Sequence, residues 1–217
     1  MNKLRIFNSL TNKKELFSPI DENNIRIYAC GPTVYNYAHV GNARMSVVFD
    51  VINRVLSMVY PKITYCSNIT DIDDKIIKAS IEEKVTCEEL SVKYERIYNQ
   101  DMKSLNINQP DFQPRATNFI DDMIIAIDKL IKNKHAYEAK GHVLFSVPSY
   151  KLYGVLSKRN TEELVPGSRI EVESFKRNSS DFVLWKPSKS NEPQWDSPWG
   201  YGRPGWHIEC SVMAEKI

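Results

Sequence analysis

Apolar and polar positions follow one another in a pattern that predicts a strand, a loop and a helix early in the chain. Residues 25–30 are mostly apolar and form a candidate buried strand, which a Gly-Pro-Thr sequence at residues 31–33 interrupts. A second strand is predicted over residues 63–69, where β-branched and aromatic side chains are frequent. Between the strands, apolar side chains recur at helical spacing: Met45, Val48, Phe49, Ile52, Val55, Leu56 and Val59. Together these elements form a βαβ unit, which implies a parallel sheet.

Further along, the pattern predicts helices and then changes character. Helices are expected over residues 73–83 and 118–132, and Thr86 with Glu89 forms a capping box that opens another helix between them. A last helix is expected from Trp206 onwards. Short strands are expected over residues 3–7, 14–17 and 181–185, with a hairpin over 136–147 that turns at Lys140-Gly141. We therefore expect an α/β fold in which a parallel sheet is followed by a small α+β insertion.

Composition indicates the class of protein but does not decide whether it binds nucleic acid. The 217 residues, 42% of them hydrophobic, can fill the core of one domain, with or without an insertion. No apolar run reaches signal-peptide or membrane-span length, so we expect a cytoplasmic protein without a membrane partner. The four cysteines are scattered and form no CxxC pair, so reduced thiols are expected. A net charge of +2 neither requires nor excludes a nucleic-acid partner.

The segment after the first strand carries the candidate chemistry. Residues 30–44 form a predicted loop at the carboxyl end of that strand, where open α/β sheets bind ligands, and the following helix N-terminus attracts phosphate. Gly41 would let a base or a phosphate approach the backbone, and His39 and Asn42 can donate hydrogen bonds to phosphoryl oxygens. An ordinary loop histidine and a helix-entry glycine fit the same four residues, so this motif alone leaves both interpretations open.

Longer sequence blocks resemble the cysteinyl-tRNA synthetases, a family of class I aminoacyl-tRNA synthetases. Residues 28–44 (Y-A-C-G-P-T-V-Y-N-Y-A-H-V-G-N-A-R) are similar to the HIGH-type signature, although many relatives have a second histidine where Asn42 stands. Residues 68–77 and 202–211 are similar to two further family blocks, in the family's order. The resemblance implies a Rossmann-like nucleotide-binding domain with a parallel sheet, split by a connective α+β insertion that contacts the tRNA acceptor end.

The resemblance also divides the chain into three segments. Residues 1–115 would form an N-terminal hairpin and the first half of the catalytic domain, 116–200 the connective insertion, and 201–217 the start of the second half. In the family, the remaining zinc ligands, a lysine-rich KMSKS loop and an anticodon-binding region lie further on. We therefore expect this chain by itself to be truncated, and unable to complete a zinc site or to form an adenylate.

The reaction implied by the resemblance joins cysteine to its tRNA in two steps. The carboxylate of cysteine attacks the α-phosphate of ATP with the help of Mg²⁺, and the cysteinyl group then passes to tRNA(Cys). Such an attack needs positioning and charge neutralisation more than a general base. The resemblance makes His39 and Asn42 the catalytic residues that stabilise charge on the phosphate. The residues that it implies in ATP binding are Pro32, Thr33, His39, Gly41 and Asn42.

A zinc site is implied by two matching cysteines. Cys30 and Cys210 match two of the family's four ligands, so one Zn²⁺ per subunit is expected. Zinc binds a thiolate far better than the hydroxyl of serine, which would let a metal select the substrate. The resemblance also places Gly31, Thr70 and Trp206 against the amino acid, although a strand-end threonine and a core tryptophan explain the last two equally well.

Two other functions remain open at this point. A paralogous ligase could activate cysteine in the same way and pass it to an amino sugar, and a non-enzymatic fragment could sense cysteine or zinc. We expect the synthetase to act as a monomer on cysteine, ATP and tRNA(Cys).

Overall fold

The computed structural model describes residues 4–158 and 174–217. In chain order, the elements within these ranges are β1 (Arg5–Asn8), β2 (Lys13–Leu16), β3 (Ile25–Ala29), α1 (Val40–Ser57), β4 (Ile63–Ser67), α2 (Asp74–Glu83), α3 (Cys87–Ser104), α4 (Ile120–Lys132), β5 (Ala136–Ala139), β6 (His142–Phe145), β7 (Phe182–Pro187), β8 (Gly202–Pro204) and α5 (Ile208–Lys216). The predicted helices and strands are present, with ends that shift by a few residues. Residue 3 of the first predicted strand, and residues 159–173 of the predicted insertion, lie outside the described ranges.

The elements form two compact units. Among the described residues, the parallel unit comprises residues 20–123, 190–193 and 209–217, and the antiparallel unit comprises residues 4–19, 124–158, 174–189 and 194–208. The functional division of the chain after residues 115 and 200 remains a prediction, because it concerns the roles of the segments rather than their compactness.

The parallel unit contains the predicted βαβ arrangement. Strands β3 and β4 pair in parallel from Ile25 opposite Ile63 to Ala29 opposite Ser67, and α1 connects them. The α/β fold with a parallel sheet is therefore confirmed. An extended segment continues the sheet beyond β4, with Phe112 bridging in parallel to Cys66. Parallel strands end at the same edge of a sheet, so the loops after β3 and β4 lie side by side.

Helices α2 and α3 provide the core of this unit. The capping box predicted at the start of α3 is confirmed, since the Thr86 hydroxyl accepts from the Glu89 N–H and the Glu89 carboxylate accepts from the Thr86 N–H. Four side chains at helical spacing along α3 are buried, Leu90, Tyr94, Tyr98 and Met102, whereas Leu105 just after the helix is exposed. The central apolar cluster consists of Val34, Ile69, Ile76, Leu90, Tyr94, Tyr98 and Met102.

Helix α1 differs from its prediction in two ways. The loop predicted to extend to Arg44 is wrong over residues 40–44, because the helix already begins at Val40. The apolar spacing also includes three positions that are exposed in this chain, Val48, Val55 and Val59. Periodicity reports that a helix has an apolar face, while only tertiary packing decides how much of that face is covered.

The antiparallel unit contains the remaining strands. Strands β1 and β2 form a hairpin, and β5 to β8 form a four-stranded antiparallel sheet in sequence order. The predicted hairpin turn at Lys140-Gly141 is confirmed by the pairing of Ala139 with His142. Asp181 lies beside this sheet with 1% of its surface exposed. It accepts hydrogen bonds from the Tyr137 hydroxyl and from the backbone N–H groups of Val147 and Asn178.

None of the helices within residues 4–158 and 174–217 combines the length and the apolar character that a bilayer crossing requires.

Candidate functional site

Backbone hydrogen bonds join the loops after β3 and β4 at the carboxyl edge of the parallel sheet. The Thr70 N–H donates to the Pro32 carbonyl over 3.0 Å, and the Val34 N–H donates to the Thr70 carbonyl over 3.2 Å. At Gly31 the two segments touch so closely that a Cβ would lie 1.6 Å from the carbonyl oxygen of Asn68. Glycine is therefore required here by the approach of a neighbouring backbone rather than by its own conformation.

His39 is the N-cap residue of α1. Its Nδ1 accepts from the Gly41 N–H over 3.1 Å, and its own N–H donates to the Asn42 Oδ1 over 3.0 Å. Since Nδ1 is an acceptor, the proton of the neutral imidazole sits on Nε2. The side chain is exposed, so this N–H donor is available at the positive end of the helix dipole. Both residues of the predicted catalytic pair thus also have a structural role.

Gly41 lies in the first turn of α1, where the backbone does not demand a glycine. It is exposed, and a Cβ at this position would meet only the Nδ1 of His39, at 3.3 Å. The open space beside it suits a flat ligand or a phosphate.

Two cysteines that are 180 positions apart meet at the same edge of the sheet. The Sγ atoms of Cys30 and Cys210 are 3.3 Å apart, and the four cysteines of the chain are all free thiols. The hydrogen bond from Cys210 lowers the pKa of Cys30 to about 7. The same hydrogen bond, together with burial, raises the pKa of Cys210. One thiol of the pair is therefore prepared to ionise near neutral pH, and the second supplies the proton that stabilises it.

The other two cysteines are not part of this sulfur pair. Cys66 is buried in β4, and burial raises its pKa to about 11. The sulfur of Cys87 lies 3.3 Å from the Ser80 hydroxyl. Both fit the role of a small, largely apolar side chain.

Asn68 is a member of the site that sequence reasoning missed. It is fully buried directly after β4, and its side chain contacts four surrounding residues. The partners of this amide are Tyr28, Gly31, Thr70 and Cys210. A polar residue at the carboxyl end of a parallel strand was the available signal, but the apolar pattern placed Asn68 inside the strand.

Glu209 was also missed. Burial is the main cause that raises the pKa of this carboxyl to about 8, with smaller electrostatic contributions from the neighbouring Cys210, Asp73 and Asp71. The two aspartates have structural partners, since Asp71 accepts from Thr117 and Asp73 caps α2. The sequence carries no local sign of this cluster, because α5 brings Glu209 to it from far along the chain.

Trp206 belongs to the antiparallel unit. Its side chain is 69% exposed, which rules out a buried core position. The indole stacks on the His207 ring with 4.1 Å between ring centroids and 19° between planes. His207 has a φ of 69°, a left-handed backbone conformation that is unfavourable for a histidine, and burial lowers its pKa.

The thiol pair has part of the chemistry of a metal site. Thiolates are ligands that zinc prefers, and a structural zinc site has four ligands in a tetrahedron. In the part of the chain that the structure describes, no group of three His, Cys, Asp or Glu side chains is arranged to hold a metal. Two thiols can supply at most two of those four ligands, so Cys30 and Cys210 do not by themselves complete a zinc site among the described residues.

The fold is similar to that of a solved aminoacyl-tRNA synthetase structure. A crystal structure from Campylobacter jejuni, provisionally described as an arginyl-tRNA synthetase, superposes with a TM-score of 0.54 at 12% identity. The match covers 91% of this chain and 45% of that one. At this identity the likeness concerns the fold alone.

Sequence comparison places the chain within that class. The family described as tRNA synthetases class I (C) catalytic domain matches residues 16–217, and the chain belongs to this family. A cysteine–tRNA ligase from Parvibaculum lavamentivorans is 51% identical over 214 residues, which are 99% of this chain and 46% of that protein. One from Wolbachia pipientis is 50% identical over 215 residues, 97% of this chain and 47% of that protein. The chain thus spans about half the length of the curated relatives it matches, and the predicted family is confirmed.

Proposed function

We propose that this chain is the part of a cysteine–tRNA ligase that binds ATP and recognises cysteine, in an enzyme that transfers the activated cysteine to tRNA(Cys). The observation that carries the proposal is the 3.3 Å approach of the Cys30 and Cys210 sulfurs. The pair lies at the sheet edge where the loop leading to the capped N-terminus of α1 begins. A thiol-selecting group and a phosphate-binding group thus occupy one edge of one compact unit.

ATP binding is assigned to the N-terminus of α1. The His39 Nε2–H and the helix dipole would stabilise negative charge on the reacting α-phosphate, with Asn42 as a second donor. Pro32, Thr33 and Gly41 would line the nucleotide, and Mg²⁺ would accompany its phosphates. An already ionised carboxylate needs no base to attack phosphorus, so these residues act by orientation and charge stabilisation.

Cysteine recognition is assigned to the neighbouring residues. Cys30 and Cys210 would hold one Zn²⁺ per subunit, and bound zinc favours the thiolate form of the incoming amino acid. Gly31 and Thr70 would contact the polar end of cysteine. Discrimination against serine then rests on ligand chemistry rather than on the volume of a cavity, which separates similar side chains poorly.

The remaining assignments concern the whole enzyme. Residues 116–200 are proposed as the connective insertion that meets the acceptor end of tRNA(Cys). The absence of disulfides supports the cytoplasm as the compartment. We propose a monomer, since recognition of cysteine and ATP would need no second copy of the chain.

The decisive experiment uses a protein that carries this chain together with the remaining length of its relatives. Cysteine-dependent exchange between ATP and pyrophosphate should be lost in Cys210→Ser, together with bound zinc. Cys87→Ser serves as the matched control and should retain both, because Cys87 lies among structural partners. Normal exchange with undiminished zinc in Cys210→Ser would refute the assignment of the thiol pair.

The acceptor is tested separately with the same protein. Labelled cysteine should appear on tRNA(Cys) and not on an amino sugar. Transfer to the sugar would instead identify a paralogous ligase, and zinc binding without any exchange would identify a sensor.

A further inference from the structure

We propose that Asn68 is a positioning residue for cysteine recognition: its buried amide sets the placement of the thiol pair relative to Gly31 and Thr70. This inference rests on the proposed function, because it assigns Asn68 to the same amino-acid site. The side chain has no exposed surface and joins Tyr28, Gly31, Thr70 and Cys210.

The amide can adopt only one orientation. Its Oδ1 accepts from the Tyr28 hydroxyl and from the Gly31 N–H, each over 3.0 Å, which uses both lone pairs of a carbonyl oxygen. Rotation by 180° would place the NH₂ group against the Gly31 N–H, which can only donate, and would leave that N–H unpaired, which is costly. The Nδ2 atom is therefore directed at the Thr70 Oγ1, 3.2 Å away.

This orientation of the amide also decides whether the Thr70 hydroxyl donates or accepts a hydrogen bond. Because the Thr70 Oγ1 accepts from Asn68, its hydroxyl hydrogen is left to be donated elsewhere. A hydroxyl that donates suits an acceptor such as a carboxylate oxygen of an amino acid. Asn68 thus prepares the neighbouring residue for the charged end of the substrate without touching the substrate itself.

Asn68 also links the thiols of Cys30 and Cys210 to Gly31 and Thr70. Its backbone carbonyl fills the space where a Cβ of residue 31 would be, so the exits of β3 and β4 are held in contact by both backbone and side chain. Cys30 directly precedes Gly31, and the sulfur of Cys210 is 3.8 Å from the Asn68 Oδ1. A change of this one amide would shift both sulfurs and Thr70 relative to each other.

The test compares Asn68→Ala with Asn68→Asp in the longer protein. The alanine removes every contact, whereas the aspartate keeps the shape but loses the donor to Thr70 and adds a charge. We expect the KM for cysteine to rise about 10-fold to 100-fold in both, as for other residues that orient a metal ligand. The KM for ATP should change by less than about 3-fold, because α1 is untouched. Tyr28→Phe, which removes one donor to Oδ1, should give a smaller rise for cysteine.

A second readout does not depend on activity. With cobalt(II) in place of zinc, the thiolate-to-cobalt absorption should weaken in both Asn68 variants. Asp181→Asn is the control, because Asp181 is also buried and accepts three hydrogen bonds, but in the antiparallel unit. It should lower the melting temperature while both KM values and the cobalt spectrum stay unchanged.

The outcomes separate this inference from the proposed function. If the wild-type protein shows no cysteine-dependent exchange, the proposed function is contradicted. If its cobalt spectrum still changes when Asn68 is substituted, Asn68 nevertheless positions the thiol pair. Asn68 variants that are only less stable, with a normal KM for cysteine and a normal cobalt spectrum, would overturn the inference. If Asn68→Ala does not fold, the aspartate and Tyr28→Phe variants decide in the same way.

Discussion

The Nδ1 atom of His39 accepts a hydrogen bond from the backbone N–H of Gly41 across 3.1 Å. This contact starts α1 and at the same time leaves the ring proton on Nε2, where it can meet a phosphate. Structural capping and proposed catalysis thus share one imidazole, and suitable variants can separate them.

Replacement of His39 should have different effects on stability and on rate. His39→Asn keeps a side-chain acceptor at the N-cap, so the unfolding free energy should stay near that of the parent chain, whereas His39→Ala should lose about 1 kcal/mol. Both should slow adenylate formation by about 100-fold or more in the longer protein, because both lose the Nε2 donor. Denaturant unfolding and pyrophosphate exchange provide the two measurements. A fast His39→Asn enzyme would show that only the cap matters.

Substitution by alanine should affect folding stability differently at Gly31 and at Gly41. Gly31→Ala should prevent stable folding of the parallel unit, because its Cβ would collide with the Asn68 carbonyl at 1.6 Å. Gly41→Ala meets only the Nδ1 atom at the end of the His39 side chain, at 3.3 Å, so this variant should fold. Thermal unfolding of the two variants tests this contrast. In the longer protein, Gly41→Ala should raise the KM for ATP, and an unchanged KM would exclude close contact of ATP at residue 41.

Alkylation should reveal the ionisation of Cys30. The hydrogen bond from Cys210 favours the Cys30 thiolate, so in the metal-free chain its rate of reaction with iodoacetamide should be half-maximal near pH 7, at the lowered pKa. In Cys210→Ala the midpoint should move up towards the ordinary value of 9.0. Peptide mass spectrometry after timed labelling gives the rate for each cysteine. Identical midpoints in the two chains would show that the sulfurs do not interact in solution.

The unfolding free energy should depend on pH, because the pKa of Glu209 differs between the folded and unfolded states. Its pKa is raised from 4.5 to about 8 in the folded chain, so the folded state keeps this proton to a higher pH than the unfolded state does. The stabilisation is then complete below about pH 4.5 and is lost as the pH rises to 8. Glu209→Gln stays neutral and should unfold at a higher temperature than the parent chain at pH 8, with little difference at pH 4.5. Melting curves with a metal chelator present measure this, and equal melting temperatures at pH 8 would contradict the raised pKa.

Local sequence was sufficient for most elements and for the family. The capping box at Thr86 and the turn at Lys140-Gly141 depend on neighbouring residues, so their positions could be predicted directly. The βαβ arrangement followed from periodicity and from the length of the connection. The start of α1 was missed because His39 is an unusual N-cap residue, outside the serine, threonine and aspartate signals that mark most helices.

The site itself was decided by contacts between distant segments. The sequence determined which groups are available: the thiols of Cys30 and Cys210, the imidazole of His39 and the amide of Asn68. Only the tertiary structure decided that two sulfurs 180 positions apart meet at 3.3 Å, and that Asn68 is buried with its polar atoms paired. It also decided that Glu209 is buried, which raises the pKa of its carboxyl. The physical reason is that hydrogen bonds and desolvation depend on distance in space, which the order of residues along a chain does not contain.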